Sequence, residues 1–157
     1  MVTGFKDYTK KVTDVVNYAP FCDVSWCSIA GTSGFIDHMW DNDLSTGFRV
    51  NACTKSSCIT AWVKLDYLKV IKVSTGHIAI HIGKDDQRYM RLRVEISDDD
   101  VSYTTIYDTT DHGSWYDKDF NISFANKSFR YLKIVLSPDG GKYHLEMYIR
   151  NIFLSSM

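Results

Sequence analysis

The sequence predicts an all-β protein built as two antiparallel sheets over a common core, and three observations carry that expectation. Apolar residues alternate with polar ones in five separate segments, turn-forming residues punctuate the gaps, and the composition is 14% aromatic with ten Tyr, eight Phe and only two Pro. Alternation at period 2 gives each strand one apolar and one polar face, and two sheets can bury the apolar faces against each other. An aromatic-rich, proline-poor chain suits twisted, half-buried strands.

The elements follow in order. Asp7 to Ala19 fits a short helix or a strand. Phe21 to Ile36 and Arg49 to Cys58, rich in Ser, Thr, Gly and Cys, read as long loops, where binding usually lives on a rigid sandwich. Trp62 opens the first core strand. Further on, Ile78, Ile80 and Ile82 share a face opposite His77, Ala79 and His81, and Met90, Leu92, Val94 and Ile96 alternate with Tyr89, Arg91, Arg93 and Glu95. Phe120, Ile122 and Phe124, then Leu132, Ile134 and Leu136, and finally Tyr143, Leu145, Met147 and Ile149 repeat the pattern. Gly83 to Asp86, Asp98 to Asp100, Asp111 to Gly113 and Pro138 to Gly141 supply the turns. With 157 residues and no linker or repeat, the chain reads as a single domain over 1–157.

Several function classes recede at this stage. Eighteen Lys and Arg against nineteen Asp and Glu leave a net charge of -1, without the basic field expected of a nucleic-acid partner. No apolar run has the length of a bilayer span, so no transmembrane segment is expected, and the N-terminus shows no signal peptide. The sequence carries no nucleophile elbow, phosphate loop or zincin helix. His77 and His81, four apart in a strand, would stand roughly 13 Å from each other, too far to share one metal. The expectation is a protein that is not an enzyme.

Four stretches carry a family resemblance. Trp62-Val63-Lys64-Leu65-Asp66-Tyr67-Leu68-Lys69-Val70-Ile71 resembles the segment that opens the central strands of the discoidin, or coagulation-factor type C, domain. Asp41-Asn42-Asp43-Leu44-Ser45-Thr46-Gly47-Phe48 is similar to its Asp-Gly-Asn/Asp-x-x-Thr-x-Trp loop. Tyr89 to Ser97, with Asp98-Asp99 and Tyr103, resembles its strand, Ser, Asp-Gly and aromatic segment. Phe129-Arg130-Tyr131-Leu132-Lys133-Ile134 with Leu145-Glu146-Met147-Tyr148 is similar to its closing pair. In order, the four cover about residues 37–150. The resemblance implies a jelly-roll β-sandwich of the galactose-binding-like type, of about eight main strands, shared with family 32 carbohydrate-binding modules. Tyr67 in place of a leucine, Ile149 in place of a terminal glycine, and no Cys pair tying the domain ends depart from the pattern.

The chemistry-bearing residues fall into three groups. Asp41, Asp43 and Thr46 put three oxygen-bearing side chains within six residues, suited to a hard cation such as Ca²⁺, or to capping backbone N–H groups. The resemblance implies Glu146 of the last strand as a further ligand of a structural Ca²⁺. Cys22 and Cys27, and Cys53 and Cys58, form two x4-spaced pairs that could be disulfides, free thiols or a zinc site. Loop aromatics suited to stacking on a sugar ring are Trp26, Trp40, Trp115 and Tyr116, and Arg49, Lys84, Asp86, Arg88 and His112 are the polar candidates for gripping hydroxyls. Asn121-Ile122-Ser123 and Asn126-Lys127-Ser128 match the N-glycosylation pattern.

The leading expectation is a non-catalytic, lectin-like module that attaches its owner to glycans on a cell or virion surface. The glycan or surface receptor would meet a loop end formed by Phe21 to Ile36, Arg49 to Cys58, Gly83 to Arg88 and Asp111 to Asp119. A single domain of this kind would gain avidity as a homo-oligomer or as a multi-copy component of a larger assembly. Its location would be extracellular or surface-exposed, with a cytoplasmic one still open. The alternatives are a protein-docking structural subunit without glycan affinity and an anionic phospholipid binder, the last ranked lowest because Trp26 has no adjacent Lys or Arg.

Overall fold

A long two-stranded ribbon organises the molecule. It pairs β5 (Ala61–Gly83, 23 residues) with β9 (Lys118–Pro138, 21 residues) along almost their whole length. The computed structural model describes residues 6–7, 14–18, 32–33, 36–53, 61–83, 88–109, 113–115, 118–138 and 145–156, with side chains for 38–49, 62–82, 91–109, 118–137 and 147–156. The remaining strands are β1 (Lys6–Asp7), β2 (Asp14–Tyr18), β3 (Thr32–Ser33), β4 (Phe48–Cys53), β6 (Arg88–Ser97), β7 (Thr104–Asp108), β8 (Gly113–Trp115) and β10 (Leu145–Ser156). A one-turn 3-10 helix, Ile36–Trp40, precedes β4. The hydrogen-bonded order is β3-β4-β10-β5-β9-β6-β7, with β1 on β10, β2 on β5 and β8 on β6, and all the described pairings are antiparallel.

Connectivity forces this ribbon to fold on itself. A straight 23-residue strand would reach about 75 Å. Yet only residues 84–87 link Gly83, at one end of the ribbon, to Arg88 of β6, whose Met90 pairs with Pro138 at the other end. That link spans at most about 17 Å, so the two halves must turn back over each other. The fold-back lies at a large bulge. Ala61 to Asp66 pair with Leu136 to Tyr131, and the ladder resumes only at Ile71, opposite Phe129. Residues 67–70 thus stand against Arg130 alone. One layer is then the first half of β5 with the second half of β9, flanked by β2, β6, β7 and β8; the other is the second half of β5 with the first half of β9, flanked by β10, β4, β3 and β1.

The core lies between the layers. Val63, Leu65, Leu92, Val94, Leu132, Ile134 and Leu136 from the first meet Ile78, Ile80, Ile82, Phe120, Ile122, Met147 and Ile149 from the second in one buried cluster. Met39 of the 3-10 helix is fully buried and Trp40 packs against the same cluster. The two-sheet sandwich expected from alternation is therefore present, with its backbone ladder continuing from one layer to the other.

Asp66 holds the bulge. Its Oδ1 accepts the Leu68 N–H at 2.8 Å and Arg130 Nε at 2.8 Å, and its Oδ2 accepts Arg130 Nη2 at 3.0 Å. The Arg130 guanidinium also lies 4.9 Å from the Tyr131 ring centroid. Leu68 takes a left-handed φ of 71°, costly for a branched-chain residue and sustained here by the carboxylate bonded to its amide. The Arg130 fork holds the Asp66 carboxyl below the usual carboxylate range.

The structure decides one expectation left open and corrects several others. Asp7 to Ala19 contains no helix among its described residues; it supplies Asp14–Tyr18, paired with β5, and the end of β1. Arg49 to Cys58 begins as strand β4, because Phe48 to Cys53 complete the ladder beside β10. The separate alternating segments around Phe120 to Phe124 and Leu132 to Leu136 are one strand, β9. Arg88 belongs to β6, and Gly113–Trp115 within Asp111 to Asp119 form β8. Asp98-Asp99-Asp100 is a turn as expected: Asp99 Oδ1 accepts the N–H groups of Val101 and Ser102, each at 2.9 Å.

Two outcomes follow. Asp66→Asn should cost about 1–2 kcal/mol, several degrees in melting temperature, at neutral pH. Because the folded-state pKa of Asp66 is depressed, its contribution is present above the ordinary carboxylate range and lost as pH falls through the folded value. Melts of wild type and variant should accordingly converge in acid. Separately, Gly76 lies opposite Phe124, and a Cβ there would sit 2.3–2.6 Å from the Phe124 ring. Gly76→Ala should destabilise by roughly 1–3 kcal/mol, and adding Phe124→Leu should recover part of that loss in the same denaturation assay.

Candidate functional site

The register brings the connecting segments to one end of the sandwich. In the second layer Cys53 pairs with Leu145, Glu146 with Gly83, and Ile82 with Lys118. In the first, Ala61 pairs with Leu136, Met90 with Pro138 and Gly113, and Arg88 with Trp115. Strand ends flanking 54–60, 84–87, 116–117 and 139–144 therefore converge opposite the Asp66 bulge. β3 runs antiparallel to β4, with Thr32 opposite Val50 and Ser33 opposite Arg49, so Thr32 is the end of β3 nearer those strand ends.

Arg88 and Trp115 are direct cross-strand partners in the β6–β8 ladder. Arg49 is half-buried in β4 opposite Tyr148. Trp26, Lys84, Asp86, His112 and Tyr116 lie outside the described residues, as do Cys22, Cys27 and Cys58. Cys53 ends β4 and Glu146 lies in β10, both without a described side chain. Trp62 and Trp40, both half-buried, pack against the core.

The Asp41–Thr46 loop is closed by its own hydrogen bonds. Asp41 Oδ1 accepts the Asp43 N–H at 2.9 Å and its Oδ2 the Thr46 hydroxyl at 2.6 Å. Asp43 Oδ1 accepts both the Ser45 N–H at 2.9 Å and the Ser45 hydroxyl at 2.6 Å, which hold its carboxyl below the usual range. Arg150 Nη1 donates to the Leu44 carbonyl at 2.7 Å and so ties the loop to β10. The donors are all oxygens, which fits a hard cation in kind. Among the described residues, no cluster of three or more His, Cys, Asp or Glu is placed to hold a metal.

A third feature lies on the outer face of the second layer, where the sequence reading placed no ligand site. Leu44, Ala79, His81, Asp119, Asn121 and Arg150 line a groove of about 330 Å³. His81 Nδ1 and Asp119 Oδ1 are 2.6 Å apart, and the Tyr148 ring lies 6.1 Å from His81 and 5.9 Å from the Arg150 guanidinium. Arg150 is the extra residue of a β-bulge, since Ile149 pairs with Ile80 and Asn151 with Ala79. The sequence does carry a signal for it. Buried positions run Met147, Ile149, then Ile152, Leu154, so the alternation changes phase at 150–151. At the bend, a broader hollow of about 600 Å³ is lined by Lys69, Lys72, Lys127 and Val70 among others.

These features can be set beside known proteins. Residues 25–148 match the model of the F5/8 type C domain, and the chain belongs to that family, with its galactose-binding-like β-sandwich. Domains of this kind are typically non-catalytic binding modules. No curated protein matches the sequence. Among solved structures, a family 32 carbohydrate-binding module of Clostridium perfringens, in complex with GlcNAc-α-1,4-galactose, is 15% identical with a TM-score of 0.59, covering 99% of this chain and 97% of that one. The C-terminal domain of a chitobiase from Bacteroides fragilis is 13% identical, TM-score 0.54, covering 96% and 98%. A Ruminococcus gnavus family 29 fucosidase in complex with fucose is 17% identical, TM-score 0.48, and the match spans 74% of this chain and 21% of the enzyme. At such identities the likeness is one of fold. No helix among the described residues is long and apolar enough to cross a membrane.

Proposed function

We propose that the protein is a non-catalytic carbohydrate-binding module that recognises surface glycans through the loop end of its sandwich. The observation that carries this reading is the convergence of the strand ends at one end, with Arg88 and Trp115 in direct register. An aromatic and a guanidinium residue in cross-strand register suit a sugar, whose apolar face can stack and whose hydroxyls can accept in pairs. Lys84, Asp86, His112, Trp26 and Tyr116 belong to the segments that begin or end there, and Arg49 stands on the adjoining strand. Family membership and the sugar-bound relative of the same fold support the substrate class. An extracellular or surface-exposed setting, with several copies acting together, completes the reading.

A structural Ca²⁺ in the Asp41–Thr46 loop belongs to the same proposal, with Asp41, Asp43, Thr46 and Glu146 as ligands. A cation binding there would compete with Arg150 for the Leu44 carbonyl. One observation favours a second reading, contact with anionic lipid: Leu68 and Val70 are 57% and 48% exposed beside Lys69, Lys72 and Lys127 at the bend.

A glycan array probed with and without EDTA tests the leading reading. Glycan hits are expected, and Trp115→Ala should weaken them by about tenfold or more, roughly 1–3 kcal/mol, with little change in melting temperature. Silence from folded protein would favour a docking subunit, and sedimentation with phosphatidylserine vesicles but not phosphatidylcholine vesicles would favour the lipid reading. For the cation, millimolar Ca²⁺ added to EDTA-stripped protein should raise the melting temperature; an unmoved melt removes the Ca²⁺ site.

A further inference from the structure

The groove on the outer face of the second layer has a chemistry of its own. Its polar groups come from three strands. His81 is supplied by β5, Asp119 and Asn121 by β9, and Arg150 by the bulge of β10, while Leu44 overhangs from the loop before β4. Three of these groups, His81, Asp119 and Arg150, are held before any ligand arrives. Asp119 is bonded to His81 at 2.6 Å, and Arg150 is fixed by the Leu44 carbonyl at 2.7 Å. Fixed polar groups spare a ligand much of the ordering cost of binding.

The combination is selective about what it can hold. An anion would meet the Asp119 carboxylate, and a cation would meet the Arg150 guanidinium. A hydrocarbon would strip water from the carboxylate, the amide and the guanidinium and offer their remaining hydrogen-bonding positions nothing in return. A polyol satisfies all three, because each hydroxyl both donates and accepts: it can donate to Asp119, accept from Arg150, and do either with the Asn121 amide. Leu44, 59% exposed, offers an apolar edge for the C–H face of a ring. A volume of about 330 Å³ takes one ring rather than a chain.

We propose that this groove is a subsite for one uncharged pyranose residue of a glycan, separate from the Arg88–Trp115 pair at the loop end. The proposal rests on the carbohydrate-binding reading and adds a second place of contact to it. Lying two to four residues down β5 from Gly83, the groove would let one branched glycan, or two neighbouring ones, engage a single domain at two points.

The test titrates ¹⁵N-labelled, unglycosylated protein with galactose, N-acetylglucosamine, glucose and mannose, following amide shifts in wild type and in Leu44→Ser, Asp119→Ala and Asn121→Ala. These side chains are exposed, Leu44 on the loop before β4 and the other two on β9, and thermal melts verify that each variant is folded. The expected result is amide shifts at 79–81 and 119–121 on addition of at least one sugar, with binding there about tenfold weaker or more in Asp119→Ala and Asn121→Ala. Trp115→Ala should leave those shifts in place. A sugar that binds wild type and all three variants equally, with shifts confined to 84–88 and 111–117, overturns the subsite and leaves the carbohydrate reading standing. If no sugar perturbs the protein and the glycan array is also silent, the carbohydrate reading fails and the subsite with it.

Discussion

The carboxylate of Asp66 sits where the architecture is decided. A ribbon of this length must fold over itself to make a sandwich, and doing so within a continuous ladder requires surplus backbone on one strand. Residues 67–70 supply that surplus, at the expense of a left-handed leucine and several amides without ladder partners. Asp66 binds one of those amides and, through Arg130, grips the opposite strand. Everything distal follows from that turn: where the halves lie, which faces are buried, and which end gathers the connecting segments.

Around this joint the inner faces close on aliphatic and aromatic side chains while charged side chains make the outer contacts. Lys64, nearly buried, reaches Asp100 at 2.7 Å, and Tyr103 donates to the same carboxylate, which pins the Ser97–Tyr103 turn against the first layer. Lys133 lies over the rings of Trp62 and Tyr103, at 5.1 and 5.2 Å. The tie from Arg150 to the Asp41–Thr46 loop does for the second layer what Lys64 does for the first. Each layer thus has one cationic side chain anchoring a turn that strand pairing alone would leave loose.

Much of this was legible in the residues. Period-2 alternation identified the strands because a half-buried strand must alternate, and the four ordered motifs placed the chain in its family. Strand continuity was harder to read. Nothing local says that Phe120 and Leu136 share one strand, because between Phe124 and Phe129 stand Ala125 to Ser128, polar or small and exposed, which imitate a turn. Arg49 was read as loop because β4 lies between β3, a two-residue strand, and β10, whose Tyr148 is about a hundred residues away. The outer groove was missed for a related reason. His81, Asp119 and Arg150 are ordinary surface residues until register makes them neighbours, and only the change of phase after Ile149 hinted at the bulge that presents Arg150.

The pairing of β1 with the end of β10 has a mechanical consequence. Lys6 lies opposite Ser156 and Asp7 opposite Ser155, so the first and last described strands lie side by side, and Ser155 pairs with Thr75, far from the loop end. A pull on both strands would open their ladder like a zipper, one hydrogen bond at a time, instead of shearing several at once. Tension would therefore peel β1 from β10 first, before reaching the ribbon or the loop end.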